Sequence, residues 1–185
     1  TQVLRMERLI SDLLWLSRIE SVEGERKDDE INVVDLLSDI KDGLMAAWPD
    51  REIQLEVDSD SKILGSAIEL RSAISNLAVN ALKYSDDIVT MRWTDTVVGP
   101  ALSIDDTGEG VEAKHIPRLT ERFYRVEKSR SQETGGTGLG LAIVKHVAVS
   151  HDAKFFIDSE VGKGSSFRLV FPNDRIVVPE QKPRL

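Results

Sequence analysis

The chain has 185 residues, 41% hydrophobic and 30% charged, an ordinary balance for a globular protein with one good core and an extra element. Its net charge of −8 argues against a general nucleic-acid binder, and the lack of cysteine excludes disulfides, thiolate metal sites and cysteine nucleophiles. No apolar run approaches the roughly 20 residues of a membrane-spanning helix, and no signal peptide is visible.

Residues 1–22 read as one helix. Met6, Leu9, Leu13 and Leu16 recur at alternating steps of three and four, and Val3, Ile10 and Leu14 widen the stripe. A stripe that wide predicts a bundle helix with neighbours on more than one side. The pattern is already running at Thr1, so we expect a piece of a longer protein. Gly24 to Glu30 reads as a charged linker. Asp35 is expected to cap a helix with Leu36, Leu37, Ile40, Leu44 and Trp48 on one face, stopped by Pro49. Ile53, Leu55 and Val57 alternate with Gln54 and Glu56 as a half-buried strand does, and Lys62 to Gly65 fits a short second strand.

Ser66 to Tyr84 predicts a long helix with Ile68, Ala73, Leu77 and Ala81 among its apolar positions. Strands follow near Ile88–Thr94 and Ala101–Asp105. From Glu112 to Thr137 the chain is polar and irregular, with a short helical piece around Pro117. A connection that long is usually a lid, a binding loop or disorder. A glycine-rich stretch then runs into a helix with Leu141, Val144 and Ala148 on one face. Strands near Lys154–Ser159 and Ser166–Phe171 are close enough for an antiparallel hairpin, and the tail, with Pro179 and Pro183, is expected to be loose. This order predicts an α+β fold: a two-layer α/β sandwich with one mixed sheet, three helices on one face, and one long bundle helix in front.

Three stretches carry candidate chemistry. Gly135-Gly136-Thr137-Gly138-Leu139-Gly140-Leu141 places bare backbone N–H groups and a helix N-terminus together, which suits a phosphate. Its spacing is neither the dinucleotide fingerprint nor the P-loop, and alone it fits an ordinary loop before a core helix equally well. In the long helix, Asn76 and Asn80 share a face, with Lys83 and Tyr84 one turn on. An Asn oxygen is a suitable neutral ligand for Mg²⁺, Lys83 can reach a phosphate, and Tyr84 offers a flat face to a base. The same asparagines could instead satisfy a neighbouring strand. Third, Ile104-Asp105-Asp106-Thr107-Gly108-Glu109-Gly110 delivers carboxylates to a turn with two glycines. A carboxylate there can accept from an exocyclic amine such as N6 of adenine, or can simply end a strand in a D-x-G turn.

Taken together, these stretches resemble the motif set of bacterial sensor histidine kinases. Asn76 to Ser85 looks like the N box, Asp106 to Gly110 like the first glycine box, and Glu121-Arg122-Phe123-Tyr124-Arg125-Val126 like the F box. Gly136 to Leu141 looks like the second glycine box, and Gly162-Lys163-Gly164-Ser165-Ser166-Phe167 like a final G-x-G-[ST]-x-F element. The resemblance runs from about Asp35 to Phe171. Met6 to Glu20 is similar to the second helix of the dimerisation hairpin in these kinases. Leu70 to Leu77 and Pro117 to Val126 look most like the phosphate-regulon sensor kinases.

The resemblance implies the histidine-kinase/gyrase/chaperone-type ATP-binding fold, with ATP and Mg²⁺ as ligands. Asn80 would hold Mg²⁺ and Asn76 would line the phosphate side. Lys83 and Arg125 would meet phosphates, and Tyr84 would flank the adenine. Asp106 would bind the adenine amine, with Gly108 and Gly110 beneath the ring and Ser165 nearby. Gly136, Thr137, Gly138, Leu139, Gly140 and Leu141 would form the lid hinge and the helix end under the phosphates. The implied domains are 1–23 for the hairpin helix, 24–34 for a linker and first strand, 35–172 for the catalytic domain, and 173–185 for the tail. The implied partners are a response regulator and a second copy joined through the hairpin. The implied location is the cytoplasmic side of a kinase anchored in the bacterial inner membrane.

Three departures accompany the resemblance. Thr107 and Glu109 stand where the family often has Asn and Pro, and Asp152-Ala153 stand where Gly-Gly is common. No H-E-x-R-T-P type segment is present, so the phosphoacceptor is missing, and His115, His146 and His151 read as surface or packing residues. Related ATPases carry Glu where this chain has Asn76. An amide has no useful basicity, so hydrolysis should be slow and the phosphoryl group should wait for an external nucleophile. Two other readings compete: a degenerate nucleotide-sensing or pairing module without kinase activity, and an interaction domain with chance motifs.

Overall fold

In a computed structural model, the described residues are 2–20, 28–85, 87–126 and 136–177. Most of the linker, part of the long connection and the end of the tail lie outside them. Helix α1 (Gln2–Glu20) comes first, followed by strand β1 (Asp29–Asn32) and helix α2 (Val33–Ala47). Strands β2 (Ile53–Asp58) and β3 (Lys62–Gly65) lead into helix α3 (Ala67–Tyr84). Then come β4 (Val89–Thr96), β5 (Gly99–Asp106), helix α4 (Gly140–Ser150), β6 (Lys154–Glu160) and β7 (Gly164–Val170). Short 3-10 turns occupy Ile116–Arg118 and Asn173–Arg175.

Five strands form one sheet in the order β2-β4-β5-β7-β6. Only β2 and β4 run parallel in it; the other three pairings are antiparallel, including the expected β6–β7 hairpin. Strands β1 and β3 do not join this sheet. They pair antiparallel as a separate two-stranded unit, so the expected single sheet is divided. An isolated bridge from Ile63 to Ile176 brings the end of the chain against the small unit.

The alternation of β4 shows which face is inner. Val89, Met91 and Trp93 are fully buried on the side of α2 and α3, whereas Thr90, Arg92 and Thr94 lie on the other side. On that outer face Arg92 pairs with Glu56 and Asp105, and Asp105 also accepts from Ser103 and Ser166. The core between sheet and helices includes Leu37, Ile74, Leu77, Leu102, Ile104, Val144, Leu169 and Phe171.

One expectation is corrected. Asp35 does not cap α2. The cap is Asn32, whose Oδ1 accepts from the N–H groups of Val34 and Asp35, and Asp35 falls in the first turn, where its charge suits the helix dipole. The apolar stripe of α1 is shared between the core and the outer surface. Leu16 is 3% exposed and Leu9 and Trp15 pack against the core, but Met6 is 66% exposed, and Val3, Ile10, Leu13 and Leu14 face solvent with it.

Candidate active site

Helix α3 is capped by Ser66, whose hydroxyl accepts from Glu69 N–H, and it buries Leu70, Ala73, Ile74, Leu77, Ala78 and Ala81. Burial of that face turns Ser72, Asn76, Asn80, Lys83 and Tyr84 toward a cleft of about 380 Å³. The opposite walls come from Asp106, Glu109 and Gly110 after β5, from Tyr124 and Arg125, from Gly136 to Gly138, from Gly140 and Leu141, and from Ser165. Thirteen of the fifteen residues singled out from sequence thus meet in one cavity. Gly108 and Leu139 do not line it. Leu139 is fully buried in the core, because the start of α4 turns that side chain inward.

At one end of the cleft Asp106 is 8% exposed. Its Oδ1 accepts from Gly108 N–H at 2.8 Å, and the backbone of Ser165 also donates to it. Burial pushes this carboxyl above its ordinary pKa, against the two backbone hydrogen bonds that favour the charged form. The register of β5 and β7 puts Asp106 directly beside Ser165, and the Ser165 hydroxyl meets that of Ser159 at 2.9 Å. Ser159 in turn accepts from Val111 N–H, and Glu109 N–H donates to the Tyr84 carbonyl. The acidic turn is therefore tied both to α3 and to the β6–β7 hairpin. A buried, charge-averse carboxylate is suited to accepting one directed hydrogen bond from an amine.

Along the middle, Asn76 donates through Nδ2 to the Ser72 carbonyl at 2.9 Å, which fixes the direction of its Oδ1. Asn80, Lys83 and Tyr84 continue the same wall. Across from them Arg125 contributes a guanidinium whose Nη2 is buried without a hydrogen-bond partner among the described residues. Such a donor is costly unless something accepts from it, and the cleft is where that acceptor would lie.

Tyr124 is held by His115 Nδ1 at its hydroxyl, with the Arg118 guanidinium 4.1 Å above its ring. Phe123 adopts φ 64°, unusual for a non-glycine residue, and its N–H donates to the Gly138 carbonyl at 2.9 Å. Gly138 itself has φ 75°, and a Cβ there would stand 2.8 Å from the Phe123 Cα. The F-box segment and the glycine turn thus close on each other at a position that only glycine satisfies.

Sequence reasoning missed Asp12, Ser72, Trp48 and Tyr124 as wall residues. Ser72 was recoverable, since it lies one turn before Asn76 on the same face. Asp12 and Trp48 carried no local signal, because both reach the cleft from distant elements. The histidines behave as expected where the structure describes a role: His151 is fully buried and His115 holds Tyr124.

Comparison with known proteins agrees with this geometry. Residues 65–175 match the model of the histidine kinase-, DNA gyrase B- and HSP90-like ATPases. The chain belongs to this family. Among curated relatives, it is 44% identical over 182 residues to the phosphate regulon sensor protein PhoR of Pseudomonas aeruginosa, covering 96% of this chain and 41% of that protein. It is 37% identical over 182 residues to PhoR of Haemophilus influenzae, covering 96% and 42%. The chain therefore spans about two fifths of the length of these relatives. Among solved structures, full-length ShkA in complex with AMPPNP superposes with a TM-score of 0.76 at 27% identity, covering 89% of this chain and 35% of that one. The mixed five-stranded sheet under three helices is the architecture of this family's histidine-kinase members, as the sequence led us to expect.

Proposed function

We propose that this chain is the ATP-binding catalytic part of a two-component sensor histidine kinase, acting in a phosphate-responsive system. The observation that carries this reading is the single cleft that joins the Asn76–Asn80–Lys83–Tyr84 face of α3, the buried Asp106 and the glycine turn before α4. The likeness to two phosphate regulon sensor proteins supports the phosphate-responsive part. The AMPPNP bound to ShkA supports ATP as the nucleotide.

In this reading Asp106 accepts from the adenine amine, and Tyr84 covers the ring. The ribose and phosphates run along α3 toward Gly140. Lys83 and Arg125 offset phosphate charge, and the unpartnered Nη2 of Arg125 gains its acceptor. Asn80 fits Mg²⁺, since it lines the cleft and its amide oxygen is a neutral ligand of the kind this ion accepts beside waters and phosphates. The ion would neutralise charge on the phosphates during transfer. Asn76 offers no base to activate water, and its amide is engaged by Ser72. The cleft would therefore hold ATP for an incoming nucleophile, by positioning and charge compensation. That nucleophile would be a histidine on a hairpin helix paired with α1, with the phosphoryl group passing to a response-regulator aspartate. The exposed apolar side of α1 fits a hairpin partner and a second copy. Anchorage of the whole protein in a bacterial inner membrane belongs to the same proposal; no helix among the described residues is long and apolar enough to cross a membrane.

The test mixes this chain, Mg²⁺ and labelled ATP with a separately made helical hairpin bearing the acceptor histidine. We expect label on the hairpin that is lost in acid and stable in base. ATP bound but never transferred, even to a hairpin that includes the α1 sequence, would overturn the kinase reading.

A further inference from the structure

Helix α1 contributes more than an apolar seat to the domain. Asp12, on the same face as Leu16 one turn later, reaches the cleft, and its Oδ2 accepts from the Thr137 hydroxyl at 2.9 Å. Thr137 Oγ1 in turn accepts from Leu139 N–H at 3.4 Å, and Leu139 is the cap residue of α4. Helix α4 has no acidic residue in its first turn and no side-chain cap. Its N-terminus is thus a positive end, and the carboxylate that reaches it through Thr137 comes from a helix 125 residues away in sequence. The same glycine turn is where a polyphosphate would lie.

We propose that Asp12 is an internal competitor of the nucleotide's phosphates: with α1 seated, its carboxylate occupies the anion position of the glycine turn, and a bound triphosphate displaces it. This rests on the nucleotide reading of the cleft. Two anions cannot share one helix N-terminus at close range without mutual repulsion, so each weakens the other's hold. Affinity for triphosphate and the seating of α1 are then reciprocal quantities. A movement of α1 imposed from elsewhere in the protein would raise or lower ATP affinity without touching the adenine end of the cleft. Leu9, Trp15 and Leu16 supply the apolar part of the seat, so α1 can stay near the domain when its polar contact is lost.

The experiment compares this chain with Asp12→Asn and Asp12→Ala. Calorimetry measures Mg²⁺-AMPPNP binding, and an NMR titration measures adenosine binding. Hydrogen exchange follows α1 with and without each ligand. We expect both variants to bind Mg²⁺-AMPPNP about threefold to tenfold more tightly, with Ala at least as strong as Asn, and to bind adenosine as the parent does. In the parent, Mg²⁺-AMPPNP should speed exchange across residues 9–16, while adenosine leaves it unchanged. Unchanged or weaker triphosphate binding in the variants would overturn the proposal, and so would α1 exchange that slows when the triphosphate binds. If neither ligand binds to parent or variants while circular dichroism shows them folded, the nucleotide reading itself fails, and this proposal with it. Adenosine binding that persists while triphosphate affinity ignores Asp12 would sink only the competition.

Discussion

The Oδ1 of Asn76 lies 2.8 Å from the point where a Cβ on Gly140 would stand, so α3 and α4 meet amide against bare backbone beside the cleft. Alanine at 140 suits a helix and would, by propensity, stabilise the first turn of α4. It would also push the Asn76 amide from its place and strain its bond to the Ser72 carbonyl. We expect Gly140→Ala to leave unfolding free energy within about 1 kcal/mol of the parent, because the two effects oppose each other. Nucleotide affinity should fall about tenfold. Urea titration and calorimetry check both numbers; unimpaired nucleotide binding would show that the Asn76–Gly140 approach is not used.

Asp106 should show a trade between stability and binding. Its pKa is raised by burial, so in the fold the ionised form is disfavoured relative to the unfolded chain. The sign follows from that direction: the carboxyl's favourable share of stability is present below its ordinary value of 3.8 and is lost as pH rises through its higher folded value. At neutral pH the charge is a net cost. Asp106→Asn should therefore be as stable as the parent or more so at pH 7, by up to about 1 kcal/mol, with the advantage shrinking in acid. Adenosine binding should be lost or weakened at least about 30-fold, since an amide cannot both keep the Gly108 contact and accept equally well from an amine. A destabilised variant at pH 7 would contradict the burial argument.

Arg125 predicts the opposite separation. Its buried Nη2 has no acceptor among the described residues, so Arg125→Ala removes an unmet donor from the empty cleft and one phosphate contact from the filled one. Triphosphate affinity should fall about tenfold or more while adenosine affinity holds. Equal losses for both ligands would place Arg125 outside the phosphate end.

His151 is a packing residue, and its role can be measured without nucleotide. The ring is fully buried; Ser66 N–H donates to Nε2 at 3.0 Å, so Nδ1 carries the proton and donates to the Val147 carbonyl. This joins the end of α4 to the cap of α3. His151→Ala leaves a cavity beside Phe171 and an orphaned Ser66 N–H, and should cost about 2–4 kcal/mol of stability. Denaturant unfolding measures it. A loss under about 1 kcal/mol would mean that the site collapses around the gap.

The exposed side of α1 predicts association. Met6 and Leu13 are exposed at the edge of the stripe that seats Leu16. Changing both to Asp should leave the melting temperature of the domain unaltered and abolish any dimer detected by light scattering. An unchanged mass in solution would remove this face from the dimer contact.

The sequence by itself determined the elements and most of the cleft. Apolar spacing marked α2, α3 and α4, alternation marked β4 and β5, and the N-box and glycine stretches marked the residues that converge, because each of these signals is carried by neighbours in the chain. Asn32 and Asp35 are both good caps, and their choice was decided outside the helix. Pairing of β1 with β3 runs through Asn32, so the helix can begin at Val33. The same limit hid the separate two-stranded unit, since strand partners are chosen by global packing rather than by local pattern. Only the tertiary structure decided that Asp106 stands beside Ser165, that His151 takes the Ser66 N–H, and that Asp12 rests on Thr137. Periodicity says which face of a helix is apolar; it does not say which polar residue on that helix will lie over another element more than a hundred residues away, because that depends on where the packed core sets the helix down.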